Sequence, residues 1–150
     1  MERVLMRKIE FEDFSIMCDL AAMKRPSLPT KKITELKNAV RYRTYKIIYT
    51  PVTNKAVGYI LWAEISEESR EQLLNHNLDL EYFYEWFEGS VCYLKDVSIV
   101  DEWSHLLYSS LKSIIRTKSE LVYIRDGHSY YWKISEGMRH KQLMKRSSKY

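Results

Sequence analysis

Several kinds of residue are scarce in this 150-residue chain, and each scarcity argues against a class of protein. Four glycines and three prolines leave little material for long flexible linkers. The two cysteines, Cys18 and Cys92, lie far apart in apolar surroundings, which favours buried free thiols over a disulfide and predicts no metal site. No apolar stretch approaches the roughly 20 residues that cross a bilayer, and the charged N-terminus is not typical of a signal peptide. We therefore expect a cytoplasmic protein without a membrane segment.

The glycine-rich motifs of common cofactor sites are also missing. The sequence contains no GxGxxG, no P-loop, no GxSxG and no HExxH. It also lacks the pyrophosphate turn with which ordinary acetyltransferases hold coenzyme A. Isolated glycines give backbone amides few places to cradle a phosphate, so we expect no bound nucleotide.

The overall composition is typical of a globular protein. Hydrophobic residues make up 45% of the sequence and charged residues 29%, and twelve tyrosines and four tryptophans supply much area for a core. The length fits one domain, which we assign to residues 1–137, followed by a basic C-terminal tail over residues 138–150.

Charges of opposite sign are segregated along the chain. In residues 24–46 the only acidic residue is Glu35, whereas in residues 64–88 the only basic residue is Arg70. Residues 138–150 contain no acidic residue. Such asymmetry predicts a basic surface that attracts an acidic partner, although the net charge is only +4.

Hydrophobic periodicity predicts alternating helices and strands. Helices are predicted over 9–23, 31–40, 66–76 and 103–117, and strands over 42–50, 56–65, 91–100, 121–124 and 130–134. Thr30, Ser66 and Asp101 are the predicted N-caps. The first two strands are expected to form an antiparallel hairpin. The order predicts an α+β fold with a mostly antiparallel sheet flanked by helices.

Three pieces in the middle of the chain occur in an order that matches a known family. Residues 58–66 read Gly-Tyr-Ile-Leu-Trp-Ala-Glu-Ile-Ser, residues 86–89 read Trp-Phe-Glu-Gly, and Asp96 follows seven residues after that glycine. Their order and spacing resemble those of the RTX toxin-activating lysine acyltransferases. The resemblance covers residues 12–137 through scattered matches, and these include residues 107–115, Arg125 and residues 133–137.

The resemblance implies an acetyltransferase-like (GNAT-like) fold and a homodimer. It implies that acyl carrier protein, instead of coenzyme A, donates an acyl group to an internal lysine of a protein toxin. No tightly bound cofactor is implied, because the acyl group arrives on the carrier protein. The implied residues are Asp96 in a catalytic dyad and Trp62, Ser66, Gly89 and Arg125 in substrate binding. Acyl carrier protein is acidic, which agrees with the basic segment.

Asp96 interrupts an otherwise apolar predicted strand, and two readings of it remain open. A buried carboxylate is costly unless it is paired or hydrogen-bonded. In one reading Asp96 faces solvent or caps a bulge. In the other it lies at a cleft and orients a general base, as the family resemblance implies.

The expected partner of Asp96 departs from the family pattern. The family places its catalytic histidine where this chain has Lys24, and a lysine of ordinary pKa, about 10.4, is a poor base at neutral pH. The neighbouring Arg25, Lys31 and Lys32 predict a solvated basic face. The four histidines, His76, His105, His128 and His140, are expected at the surface, and His128 is the best substitute among them.

Three functions are compatible with these features. The first is a protein-lysine acyltransferase with Asp96 and Lys24, or a displaced histidine, at its centre. The second is the same scaffold without chemistry, which binds or inhibits another protein through its charged faces. The third is nucleic-acid binding by Arg41, Tyr42, Arg43 and Tyr45, which we do not favour because tyrosines alternating in a strand usually pack in a sheet.

Overall fold

The computed structural model describes residues 2–25, 27–135, 138–140 and 146–147, and side chains within 7–25 and 27–133. These residues form an α+β protein whose sheet is mostly antiparallel, as the sequence predicts. No helix among them is long and apolar enough to cross a membrane. Of the predicted basic tail, only 138–140 and 146–147 are described, and both pieces are short strands.

The elements follow the predicted order. The helices are α1 (Glu2–Met23), α2 (Thr30–Tyr42), α3 (Glu67–His76) and α4 (Ser104–Ile115), with short 3-10 helices at Phe83–Trp86 and Asp101–Trp103. The strands are β1 (Tyr45–Tyr49), β2 (Ala56–Ile65), β3 (Val91–Ile99), β4 (Glu120–Arg125), β5 (His128–Ser135), β6 (Met138–His140) and β7 (Arg146–Ser147). The strand order is β1-β2-β3-β4-β5-β6, and β7 pairs with β5.

One of the three predicted N-caps is confirmed. Ser66 caps α3, and its hydroxyl accepts a hydrogen bond from the backbone N–H of Ser69 at 3.1 Å. Thr30 is instead the first residue of α2, because the N-cap position is taken by the extended Pro29, whose carbonyl accepts from the N–H groups of Lys32 and Ile33. Asp101 begins a 3-10 helix rather than capping α4.

The first predicted strand is wrong at its start. Helix α2 continues to Tyr42 and ends at Arg43, which adopts the left-handed conformation with φ 57°. The backbone N–H of Thr44 then bonds to the carbonyl of Ala39 at 2.9 Å, which closes the helix before the chain becomes extended. Strand β1 therefore begins at Tyr45.

The chain divides into two compact units, and the first comprises Met1–Leu61 and Asp96–Leu111. In this unit α1 packs against α2, and β1 forms the predicted antiparallel hairpin with β2. The register shifts between Ile48 and Tyr49, where one step along β1 is paired with two steps along β2, so that Val57 of β2 has no partner on β1. The largest fully buried side chains of the unit include those of Met17, Leu36, Tyr59, Ile60 and Leu61.

The second unit comprises Trp62–Lys95 and Lys112–Tyr150. Here β3 pairs in parallel with β4, and β4 pairs antiparallel with β5. Its core contains Ile65, Leu73, Val91 and Cys92, all nearly fully buried. Both cysteines of the chain are free thiols, as expected, and burial raises the pKa of Cys92 to about 12.

Candidate active site around Asp96

Asp96 lies on β3 in the first unit, where its carboxylate is held by two donors. The hydroxyl of Tyr59 donates a hydrogen bond to Oδ2 at 2.8 Å, and the Nζ atom of Lys32 also lies 2.8 Å from Oδ2. The Asp96 side chain is 23% exposed. The carboxylate is therefore half-buried and paired, and it does not project into open solvent.

Lys32 reaches Asp96 from the first turn of α2. Its Nζ atom also lies 3.4 Å from a carboxylate oxygen of Glu35, one helical turn further along the chain. Only 16% of the Lys32 side chain is exposed, so the prediction of a solvated basic face is wrong for this residue. One ammonium thus bridges two carboxylates, which offsets much of the cost of removing the three charges from water.

Tyr59 fixes the carboxylate from the other side, on β2. The residue is only 2% exposed. Burial, followed by the charge and the hydrogen bond of Asp96, raises the pKa of the Tyr59 phenol far above its ordinary value. The phenol therefore stays protonated at neutral pH and acts as a fixed donor that orients Asp96, not as a group that exchanges a proton.

Both contacts use the same carboxylate oxygen, and this asymmetry has chemical consequences. Oδ2 receives the phenol and the ammonium, whereas no hydrogen bond or ion pair joins Oδ1 to a described residue. A carboxylate oxygen has two lone pairs, so Oδ1 is able to accept an additional cation or proton donor. Because the side chain is partly exposed, such a ligand can come from outside the chain.

The raised pKa of Tyr59 predicts an alkaline weakness of the fold. A tyrosine in the unfolded chain ionises near pH 10, whereas Tyr59 in the folded chain keeps its proton to a higher pH. The stabilisation that the protonated phenol of Tyr59 provides is fully present below about pH 10. It is lost as the pH rises above that value, by about 1.4 kcal/mol per pH unit. We expect Tyr59→Phe to flatten this decline in the free energy of unfolding, measured with urea at a series of pH values.

The exposed Tyr108 provides the matched control, since its side chain is 74% exposed in the same unit. Tyr108→Phe should leave the slope against pH unchanged. Equal slopes for wild type and Tyr59→Phe would show that the phenol of Tyr59 is not buried against Asp96 in solution.

The other predicted dyad members lie elsewhere on the chain. Lys24 is exposed in the turn after α1, and the cation that contacts Asp96 is Lys32. His76 and His105 are exposed, as predicted, and the side chain of His140 lies outside the described residues. His128 is half-buried, and its Nδ1 atom lies 2.9 Å from the carbonyl of Asp126. Among the described contacts of Asp96 there is no histidine.

The structure brings together two of the predicted substrate-binding residues, Ser66 and Gly89, in the second unit. A Cβ atom on Gly89 would lie 2.3 Å from the carbonyl oxygen of Ile65 and 2.7 Å from the Cα atom of Ser66. The backbone N–H of Gly89 also donates to the carbonyl of Glu64 at 3.2 Å. Glycine is needed here for close packing of two backbone segments, and Ser66 is needed to begin α3.

Trp62, the third of these residues, lies in a charged environment. Its indole is only 9% exposed, and its Nε1–H has no hydrogen-bond partner among the described residues. The ammonium of Lys118 lies 5.4 Å from the ring centroid and 3.0 Å from a carboxylate oxygen of Glu64. This arrangement combines a cation–π contact with an ion pair, and it fixes the face of the indole.

Arg125, the fourth predicted binding residue, lies at the end of β4. Its side chain is 79% exposed, and its nearest described charge is Asp126 at 3.9 Å. The register pairs Arg125 with His128 across the β4–β5 turn. An exposed guanidinium at a tight turn is available to an incoming ligand but is not held in one geometry by the protein.

Sequence reasoning did not identify Lys32 and Tyr59 as site residues. Lys32 could have been found from its spacing, because it lies four residues before Leu36 and seven before Ala39. These two residues are fully buried on one face of α2, and Lys32 shares that face. The apolar Ile33 next to it is 37% exposed. Tyr59 gave no such signal, because only the placement of β2 beside β3 brings it to Asp96.

Comparison of the sequence with models of known protein families finds no match, and neither does comparison with curated proteins. The geometry around Asp96 therefore carries the functional argument.

Proposed function

We propose that the chain is a protein-lysine acyltransferase that moves an acyl group from acyl carrier protein to an internal lysine of a protein. Its fold would then be of the acetyltransferase-like (GNAT-like) type. The observation that supports this proposal most is the half-buried carboxylate of Asp96, held through Oδ2 with Oδ1 left to a further ligand. The ordered resemblance of residues 58–66, 86–89 and Asp96 supplies the reaction class.

The chemistry assigned to Asp96 follows from its free oxygen. An acceptor lysine enters as an ammonium and binds Oδ1, where it gives up one proton. Its neutral amine attacks the thioester carbonyl on the carrier protein, so the N–C bond forms and the C–S bond breaks. The proton taken up by Asp96 passes to the thiolate, which leaves as a thiol, and the attacking nitrogen releases its second proton to solvent as the amide forms. Tyr59 and Lys32 keep the carboxylate in position during these steps.

The exposed face of α2 suits the proposed donor. Lys31, Lys37 and Arg41 are exposed on this helix, close in sequence to the Lys32 that contacts Asp96. A basic helix face raises the rate of encounter with an acidic carrier protein at low salt. A homodimer, the other partnership implied by the resemblance, remains part of the proposal.

A second candidate is a scaffold that binds or inhibits another protein without chemistry. The observation in its favour is the ion pair of Asp96 with Lys32, because this ammonium occupies the carboxylate where the family resemblance implies a histidine. In this candidate the cluster only joins α2 to β2 and β3. The two candidates make opposite predictions for turnover of an acylated carrier protein.

Turnover is measured by incubating the chain with carrier protein loaded with fatty acyl chains of several lengths, alone and with candidate acceptor proteins. We expect acyl groups on lysine, detected by mass spectrometry of peptides and stable to neutral hydroxylamine, which removes thioesters. Consumption of the acylated carrier protein gives a readout that does not depend on the acceptor. No acyl-lysine and no consumption with any chain length would reject the enzyme and favour the scaffold.

A further inference from the structure

The second unit exposes a group of aromatic side chains that the proposed reaction does not use. Tyr82, Phe83, Tyr84 and Phe87 are 50%, 52%, 48% and 59% exposed, respectively. We call these four residues the aromatic platform. Contiguous exposed aromatic side chains are costly in water and usually mark a site of interaction.

The rings of the aromatic platform are ordered against one another. Tyr82 and Tyr84 stack in parallel with their centroids 5.2 Å apart and an interplanar angle of 5°. Phe83 meets Tyr84 edge to face at 5.8 Å. These arrangements are the favourable ones for aromatic pairs, so the platform presents defined ring faces to a partner.

The segment that carries the platform is anchored to the core of its unit. Trp86, in the middle of the segment, is only 3% exposed, and the ammonium of Lys95 lies 5.8 Å from its ring centroid. Lys95 also pairs with Asp79 at 3.0 Å. Glu64 forms a parallel bridge with Phe87, which ties the end of the platform to β2.

Carboxylates surround the rings. Glu81, Glu85 and Glu88 lie in the same segment, and the Glu85 carboxylate accepts a hydrogen bond from the backbone N–H of Glu81 at 3.4 Å. Partial desolvation, together with Tyr82 and these three carboxylates, raises the pKa of Tyr84. The rings therefore lie in an acidic part of the chain, and ring faces attract cations through their quadrupole.

We propose that the aromatic platform docks a cationic segment of another protein, whose arginine or lysine side chains lie on the rings of Tyr82 and Tyr84 and pair with Glu85 and Glu88. The charge decides the kind of partner: nucleic acid and acidic proteins are repelled by the carboxylates, whereas a neutral apolar partner would leave them unpaired. This proposal is independent of acyl transfer, because it uses none of the residues around Asp96.

The test uses the full chain and a fluorescent peptide of alternating arginine and serine as the probe, at low ionic strength. Fluorescence anisotropy should show binding that weakens with added salt. Removing each ring should weaken binding roughly two- to fivefold, so Tyr82→Ala with Tyr84→Ala should lose the product of the two factors. Glu85→Gln with Glu88→Gln should reduce the salt dependence of the affinity.

Three controls make the result decisive. Tyr108→Ala removes a tyrosine that is 74% exposed in the other unit, and it should bind the probe like wild type. The same peptide with citrulline in place of arginine should bind more weakly, since it keeps the shape and loses the charge. Sedimentation of the platform variants measures self-association separately, and circular dichroism checks their folding.

Several results would overturn the proposal. If the folded platform variants bind the cationic peptide with the same affinity as Tyr108→Ala, the peptide binds elsewhere on the chain. Equal binding of the citrulline peptide, or tighter binding of a single-stranded RNA through the same residues, would remove the role of cationic charge. A platform variant that abolishes a dimer while leaving peptide affinity unchanged would assign the surface to a second copy of the chain.

Discussion

Gly89→Ala should destabilise the chain by about 2–4 kcal/mol, far more than a usual glycine-to-alanine change. The added Cβ atom would lie 2.3 Å from the carbonyl oxygen and 2.7 Å from the carbonyl carbon of Ile65, both of them backbone atoms. Backbone cannot rotate away as a flexible side chain does. The change would therefore separate the two segments and break the bonds of Glu88 and Gly89 to the carbonyl of Glu64.

The loss is measured by equilibrium urea unfolding, with Ser90→Ala as the matched control because Ser90 is the exposed next residue. The control should remain within about 0.5 kcal/mol of wild type. A similarly small loss for Gly89→Ala would mean that these backbone segments do not touch in solution. It would also return Gly89 to the role in substrate binding that the family resemblance implies.

Asp96→Asn should reduce acyl transfer to lysine by a factor of about 100 or more, if the chain is the proposed enzyme. Asparagine keeps the size of the side chain and can still accept the hydrogen bond from Tyr59. It cannot accept a proton from the acceptor ammonium or attract that cation. The measurement is the initial rate of acyl-lysine formation at saturating acylated carrier protein.

Asp101→Asn is the control for this substitution, since it removes the same charge from an exposed residue five positions further along the chain. It should leave the rate unchanged. Lys32→Met separates positioning from chemistry: it removes the ammonium that holds Oδ2 but keeps the carboxylate, so the rate should fall by less than it does in Asp96→Asn. A rate that is unaffected by Asp96→Asn would remove the mechanism.

Local structure could be predicted from the sequence wherever it depends on the residues of a single segment. The apolar run of β2 was predicted with both ends correct, and the Ser66 cap followed from a hydroxyl before two glutamates. The start of β1 was missed because Arg43 has to adopt a left-handed conformation to end α2, and no glycine or asparagine marks this position. Tyrosine-rich composition favoured a strand there.

The candidate site could be predicted only in part, because it joins three elements. The position of Asp96 in an apolar strand was sufficient to single it out, since an unpaired buried carboxylate is costly. The identity of its partners depends on which face α2 presents and on how β2 lies against β3. Both are set by packing between elements that are distant in sequence, which no single segment encodes locally.

Strand β1 stands first in the strand order, with β2 as its one paired neighbour among the described residues. An edge strand exposes unpaired backbone N–H and C=O groups, which could pair with strands of further copies of the chain and form fibrils. The strand is short, it carries the cationic Lys46, and the register shift next to Tyr49 interrupts the regular ladder. Natural sheets use these features to avoid edge-to-edge aggregation. We therefore expect that β1 does not cause the chain to form fibrils at high concentration.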